Sequence, residues 1–115
     1  MISREFYEAN GGWHPDLHHV ADWEYWIRAA SHGGAVAIDW PLSVYTQHDG
    51  MHSRRLMKDA SNLRNYLRGA LVVEAYAPQL VDWPAFYRYV AARARMQAHM
   101  FAAAGDGPAA LANET

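Results

Sequence analysis

Residues 53–78 read Ser-Arg-Arg-Leu-Met-Lys-Asp-Ala-Ser-Asn-Leu-Arg-Asn-Tyr-Leu-Arg-Gly-Ala-Leu-Val-Val-Glu-Ala-Tyr-Ala-Pro. Leu56, Ala60, Leu63, Leu67, Ala70 and Leu71 recur close to every 3.5 residues, the spacing that gathers apolar side chains along one side of an α-helix. Ser53 stands before this seam as an N-cap, its hydroxyl oxygen placed to accept from the free amides of a first turn. Pro78 ends it, because a proline pushes the residue before it out of helical geometry. Asp82-Trp83-Pro84 restarts a helix with a capping carboxylate and an early proline. Phe86, Val90, Ala94, Ala98 and Phe101 give that helix a face, and Gly105 closes it. Residues 56–104 therefore predict a long antiparallel helix pair joined by residues 78–82. The Ala-rich tail, 105–115, is expected to fray.

Toward the amino terminus, residues 2–9 suit a short helix capped by Ser3 and carrying Phe6 and Tyr7, stopped by Gly11-Gly12. A second helix runs from Asp22, its predicted N-cap, to Gly33-Gly34. Trp23, Trp26, Ile27 and Ala30 fall at i, i+3, i+4 and i+7 and draw one apolar stripe. Ala35 to Ile38 is short and apolar, and Leu42 and Val44 alternate with Ser43 and Tyr45, a period of two. Residues 47–52 read as a polar loop. The fold class expected is α+β, mainly helical: short helices plus a small two-stranded extended segment, then the helix pair.

Composition narrows the function. The chain has 115 residues with a formal net charge of −2, a length that predicts one domain. With 51 % hydrophobic and 19 % charged residues it has a globular balance, and it lacks the basic surplus of a dedicated nucleic-acid binder. The absence of cysteine excludes a disulfide scaffold, a thiolate zinc site and a thiol nucleophile. Stretches free of Asp, Glu, Lys and Arg reach only about ten residues, too short for a membrane-spanning helix. No charged start followed by an apolar block marks a signal peptide, so a cytoplasmic location is the expectation.

Three places carry candidate chemistry. The run from Gly11 to Asp22 holds His14, His18, His19 and Asp22, nitrogen and oxygen donors of the kind a metal takes; histidines in a polar loop also simply face solvent or bond to backbone. Asp22 opens a helix, where the positive end of the helix dipole favours a carboxylate. There it serves either as a cap or as a base for an incoming hydroxyl. His48 follows the extended segment on a Gly-containing loop, where an imidazole can ligate a metal or bond a phosphate.

Taken together, Gly11-Gly12-Trp13, Asp22-Trp23-Glu24 on a helix reaching Arg28, Pro41-Leu42, Tyr45, His48 and Ser53-Arg54 resemble the carboxyl-terminal half of family 2 glycosyltransferases. The match covers residues 2–55. The resemblance implies a partial GT-A fold, with residues 1–55 the acceptor-side part, 56–104 a helical hairpin and 105–115 the tail. It implies Asp22 as catalytic base in a single inverting displacement, and Gly11, Gly12, Trp13 and Trp23 as substrate-binding. His48 becomes a residue near the metal–diphosphate, and Arg28 a brace for its helix. A complete enzyme of this kind takes a nucleotide-sugar, a glycan or glycolipid acceptor, and a divalent metal, Mg or Mn, in the cytoplasm or at the inner face of the membrane. The sequence departs from the family pattern at Ala21, where Glu is usual, at His14, where Asp is usual, and at Thr46, where Arg is usual. None of its seven aspartates forms an Asp-x-Asp pair, so the nucleotide-binding half is expected to be missing and the chain inactive by itself. Apolar surface left by that half, from Val36, Ile38, Leu42 and Val44, predicts a homo-oligomer, a dimer. The competing expectation is a non-enzymatic helical interaction module that dimerises through its helices.

Overall fold

The computed structural model describes residues 1–46 and 50–114. Ser3 caps α1 (Arg4–Asn10) as expected, its Oγ accepting from the Phe6 amide at 3.2 Å. Gly11 ends α1 at φ 73°, a conformation that a Cβ disfavours. Helix α2 spans Ala21–Gly33 and stops at Gly34. Its cap stands two residues before the expected one: Val20 is the N-cap, and Asp22 lies within the first turn, its Oδ1 accepting from the Trp23 amide at 2.8 Å. Packing fixes this start rather than a polar cap. Leu17, Val20 and Ala21 are buried together, and the Asn65 side chain accepts from the amides of His18 and His19, each at 3.3 Å.

The expected two-stranded segment is absent. Among the described residues no strand forms, and residues 34–46 carry no regular structure. The reason is the lack of a neighbour: Val36, Ile38, Leu42 and Val44 all lie exposed, and an extended chain becomes a strand only when a second one takes its backbone groups. Without a sheet there is no partial GT-A fold among the described residues; only the coarser expectation, a mainly helical protein, holds.

The seam that suggested one long helix is divided. Helix α3 (His52–Lys58) begins after Met51 rather than Ser53, and α4 (Ser61–Tyr76) follows a break at Asp59-Ala60. Ala60 takes a left-handed conformation at φ 58°, and the Asp59 carboxylate accepts from the Ser61 amide at 3.0 Å. Hydrogen bonds from the Ser61 side chain and then from its amide hold the Asp59 carboxyl below its ordinary value. Of the seam residues, Ala60, Leu63 and Ala70 are buried as expected while Leu67 and Leu71 are exposed; α4 also turns Gly69 and Val73 inward.

After one 3₁₀ turn at Pro78–Leu80, α5 (Trp83–Ala103) starts as expected, with Asp82 Oδ1 accepting from the Ala85 amide at 3.0 Å. Leu63 packs with Val90, and Tyr66 meets Tyr89 edge-on at 6.4 Å, so α4 and α5 pair antiparallel. The tail does not fray. It forms α6 (Gly107–Glu114), capped by Asp106, whose Oδ1 accepts from the Ala109 amide at 3.2 Å. Ala109 and Ala110 bury against Phe101, and the Asn113 amide donates to the Met57 carbonyl at 2.8 Å. Among the described residues no helix is long and apolar enough to cross a membrane.

Candidate functional site

Residues four apart share a helix face, so Glu24 and Arg28 are neighbours on α2. The Glu24 carboxylate is buried, a costly placement for a charge without partners. Arg28 supplies them: Nε donates to Oε1 at 2.9 Å and Nη2 to Oε2 at 3.2 Å. The same guanidinium donates to the Asn10 carbonyl at 2.6 Å and to the Gly12 carbonyl at 2.7 Å. From α4 the Tyr76 hydroxyl donates to Glu24 Oε1 at 3.2 Å. Burial, then the Glu24 charge beside it, pushes the Tyr76 phenol far above its ordinary value. The hydrogen bond to Glu24 likewise raises Arg28. One clamp thus ties the loop after α1, the middle of α2 and the end of α4, and Arg28 does brace its helix as the sequence suggested.

Beside the clamp lies an open hollow of about 470 Å3, lined by Gly11, Gly12, Trp13, Glu24, Arg28 and Tyr76 among others. Gly11 is there for its backbone conformation. Gly12 is there for space, since a Cβ would come 3.2 Å from the Tyr7 ring. Trp13 is exposed on the rim. Trp23 is not among the lining residues: its ring stacks on Phe86 at 5.5 Å and 19°, in the packing between α2 and α5. Asp22 does not line the hollow either. Two residues before Glu24, it lies about 200° round the helix, exposed, with His19 and Tyr66 within its electrostatic reach. His19 meets Tyr66 edge-on at 5.9 Å. Its pKa is lowered by burial, with the Asp22 charge opposing and His52 and Arg93 reinforcing.

His48, expected near a metal, lies outside the described residues. His14 turns Nδ1 onto the Asp16 amide at 3.3 Å, and His18 is exposed. Among the described residues no three His, Asp or Glu side chains come together as metal ligands. The histidine-rich metal site at His14, His18, His19 and Asp22 is therefore not formed. Tyr76 and Asn65 carry no local signal; each acts on a partner 46 or more positions away. A separate hollow of about 380 Å3 between α4, α5 and α6 is lined mainly by Leu63, Leu67, Val90 and Ala94, and offers no carboxylate or imidazole.

Comparison with protein-family models, with curated proteins and with solved structures finds no match to this chain.

Proposed function

We propose that the chain is the acceptor-side part of an inverting, family 2-type glycosyltransferase. The observation that carries the reading is the Arg28 clamp. It holds the Gly11-Gly12-Trp13 loop to the helix whose first turn presents an exposed carboxylate, Asp22. In this reading Asp22 accepts the proton of an acceptor hydroxyl as its oxygen bonds the anomeric carbon and the donor's nucleotide departs with the bonding pair. Trp13, beside the hollow and about 200° round α2 from Asp22, offers its flat face to a part of a glycan or glycolipid other than the reacting sugar. The donor nucleotide-sugar is held elsewhere, in a nucleotide-binding part with its Mg or Mn. Because the described residues assemble no ligand set for that ion, no step here runs through it.

Calorimetry with UDP- and GDP-sugars tests the reading on the chain alone. Affinity no tighter than about millimolar is expected, since phosphate-binding elements are lacking; micromolar binding overturns it. Supplied with a nucleotide-binding part, the chain should give inverted product, and Asp22→Asn should reduce transfer by about 10²–10⁴-fold, the usual worth of a general base. Transfer indifferent to Asp22→Asn leaves the second reading, the helical interaction module, which the exposed Leu67 and Leu71 on α4 favour.

A further inference from the structure

We propose that the reacting sugar of the acceptor is held where α2 meets α4 and α5, stacked on the Tyr89 ring and hydrogen-bonded by Arg93 and Asp22. This rests on the sugar-transfer reading and fixes where its acceptor binds. Asp22 does not line the hollow beside Gly12, so the hydroxyl it deprotonates sits among side chains on its own side of α2. Those come from the loop before α2, from α4 and from α5: His19, Tyr66, Tyr89 and Arg93.

Ring contacts bring this group together. Trp23, the residue after Asp22, stacks on Phe86 at 5.5 Å, which sets the first turn of α2 against α5 about one turn before Tyr89. His19 meets Tyr66 edge-on at 5.9 Å, and Tyr66 meets Tyr89 edge-on at 6.4 Å. Arg93 follows Tyr89 by four residues and so shares its face of α5. Its Nη1 donates to the Tyr89 hydroxyl at 3.2 Å, and its guanidinium lies 5.9 Å from that ring. Asp22 and Arg93 both lie within electrostatic reach of His19 and of Tyr66. Tyr66 and Tyr89 stand 44 and 67 positions after Asp22, so the fold, and no local run of sequence, makes the cluster.

The cluster offers what a pyranose takes. The C–H face of a sugar ring is apolar and lies on an aromatic ring, while its hydroxyls need donors and acceptors alike. Tyr89 is 49 % exposed, so half of the residue is open to a ligand while Arg93 holds its hydroxyl. A ring fixed in this way loses little freedom when a sugar covers it. Asp22 Oδ1 accepts from the Trp23 amide, which leaves Oδ2 for an acceptor hydroxyl. Arg93 gives Nη1 to Tyr89, which leaves Nη2 to donate to a neighbouring hydroxyl. A vicinal diol meets both: one oxygen donates to the carboxylate and the other accepts from the guanidinium.

NMR titration of the chain alone with cellobiose, maltose and lactose tests the placement. At least one of these sugars should shift the ring signals of Tyr66 and Tyr89 while the Trp13 indole signal stays in place. Tyr89→Ala, unchanged in helical circular dichroism, should weaken that binding at least about tenfold, the worth of one aromatic face. Tyr89→Phe, which keeps the face, should retain most of it. Shifts confined to Trp13, no binding of any of these sugars, or equal affinity in Tyr89→Ala overturns the placement. With a nucleotide-binding part supplied, Tyr89→Ala should raise the acceptor KM by a similar factor at nearly unchanged kcat. Transfer that is lost in Asp22→Asn but keeps its KM in Tyr89→Ala overturns the placement and leaves the sugar-transfer reading standing. Transfer indifferent to Asp22→Asn overturns that reading and the placement with it.

Discussion

At the scale of single residues, packing against two positions decides how closely α2 and α4 approach. Gly69 faces α2, and a Cβ built there lies 2.8 Å from Val20 Cγ2 and 3.1 Å from the Trp23 ring. Gly69→Ala therefore forces a valine and an indole to move, with an expected loss of about 1–3 kcal/mol in urea unfolding. Arg28 is the other. Arg28→Met leaves the buried Glu24 carboxylate with Tyr76 as its remaining side-chain donor. Removing one partner of a buried pair costs about 3–5 kcal/mol, and the same change frees the carbonyls of Asn10 and Gly12. A thermal midpoint unmoved by Arg28→Met would remove the clamp from any account of the site. His19 sets an acid response. Its folded pKa lies below the unfolded value of 6.5 because burial disfavours the imidazolium. As pH falls below about 6.5 the unfolded chain binds a proton that the native one resists, so stability drops with falling pH. Stability measured between pH 7.5 and 5.5 should accordingly decline less in His19→Gln than in the native chain.

At the scale of elements, the sequence was most legible where a boundary is made by a side chain bonding its own helix. Ser3 and Asp82 were both read as caps and both accept the amide three residues on. Boundaries set from a distance were not legible. Asp22 looked like a cap, but the buried Leu17–Val20–Ala21 cluster and Asn65 move the helix start to Val20. The seam at Leu56–Leu71 concealed the left-handed Ala60, because heptad spacing says nothing about a turn that redirects Met57 toward α6. Helix α6 is the plainest case. Eight residues are too few to hold a helix in water by propensity, so its order comes from contacts to α5 and from Asn113 bonding the Met57 carbonyl. Asn113→Ala should undock it, raising amide exchange at Ala109–Asn113 by about tenfold or more while exchange in α4 stays unchanged. Of the site, Arg28's bracing role was expected from the resemblance, while the i,i+4 spacing to Glu24 that makes the pair went unread. Trp23's place against Phe86 was not, because a tryptophan on an apolar stripe suits a sugar platform and a helix interface equally.

At the scale of the whole molecule, the chain is elongated, 49 × 31 × 28 Å, with a radius of gyration of 16.3 Å. A compact domain of this length has about 13 Å. Among the described residues six helices bury modest clusters, and an unburied apolar run, Val36 to Tyr45, sits between α2 and α3, in the segment whose alternation suggested a strand. Alternation was read correctly as a pattern and wrongly as an outcome: it records which face wants covering, while a strand also requires a partner that the described residues do not supply. An extended backbone without a ladder fits a protease cleft, so chymotrypsin should cut first after Leu42 and Tyr45, splitting the chain between α2 and α3. Trp40 should be spared because Pro41 follows it. First cleavage inside α4 or α5 instead would place the weakest point of the molecule in the helical body and not in the uncovered segment.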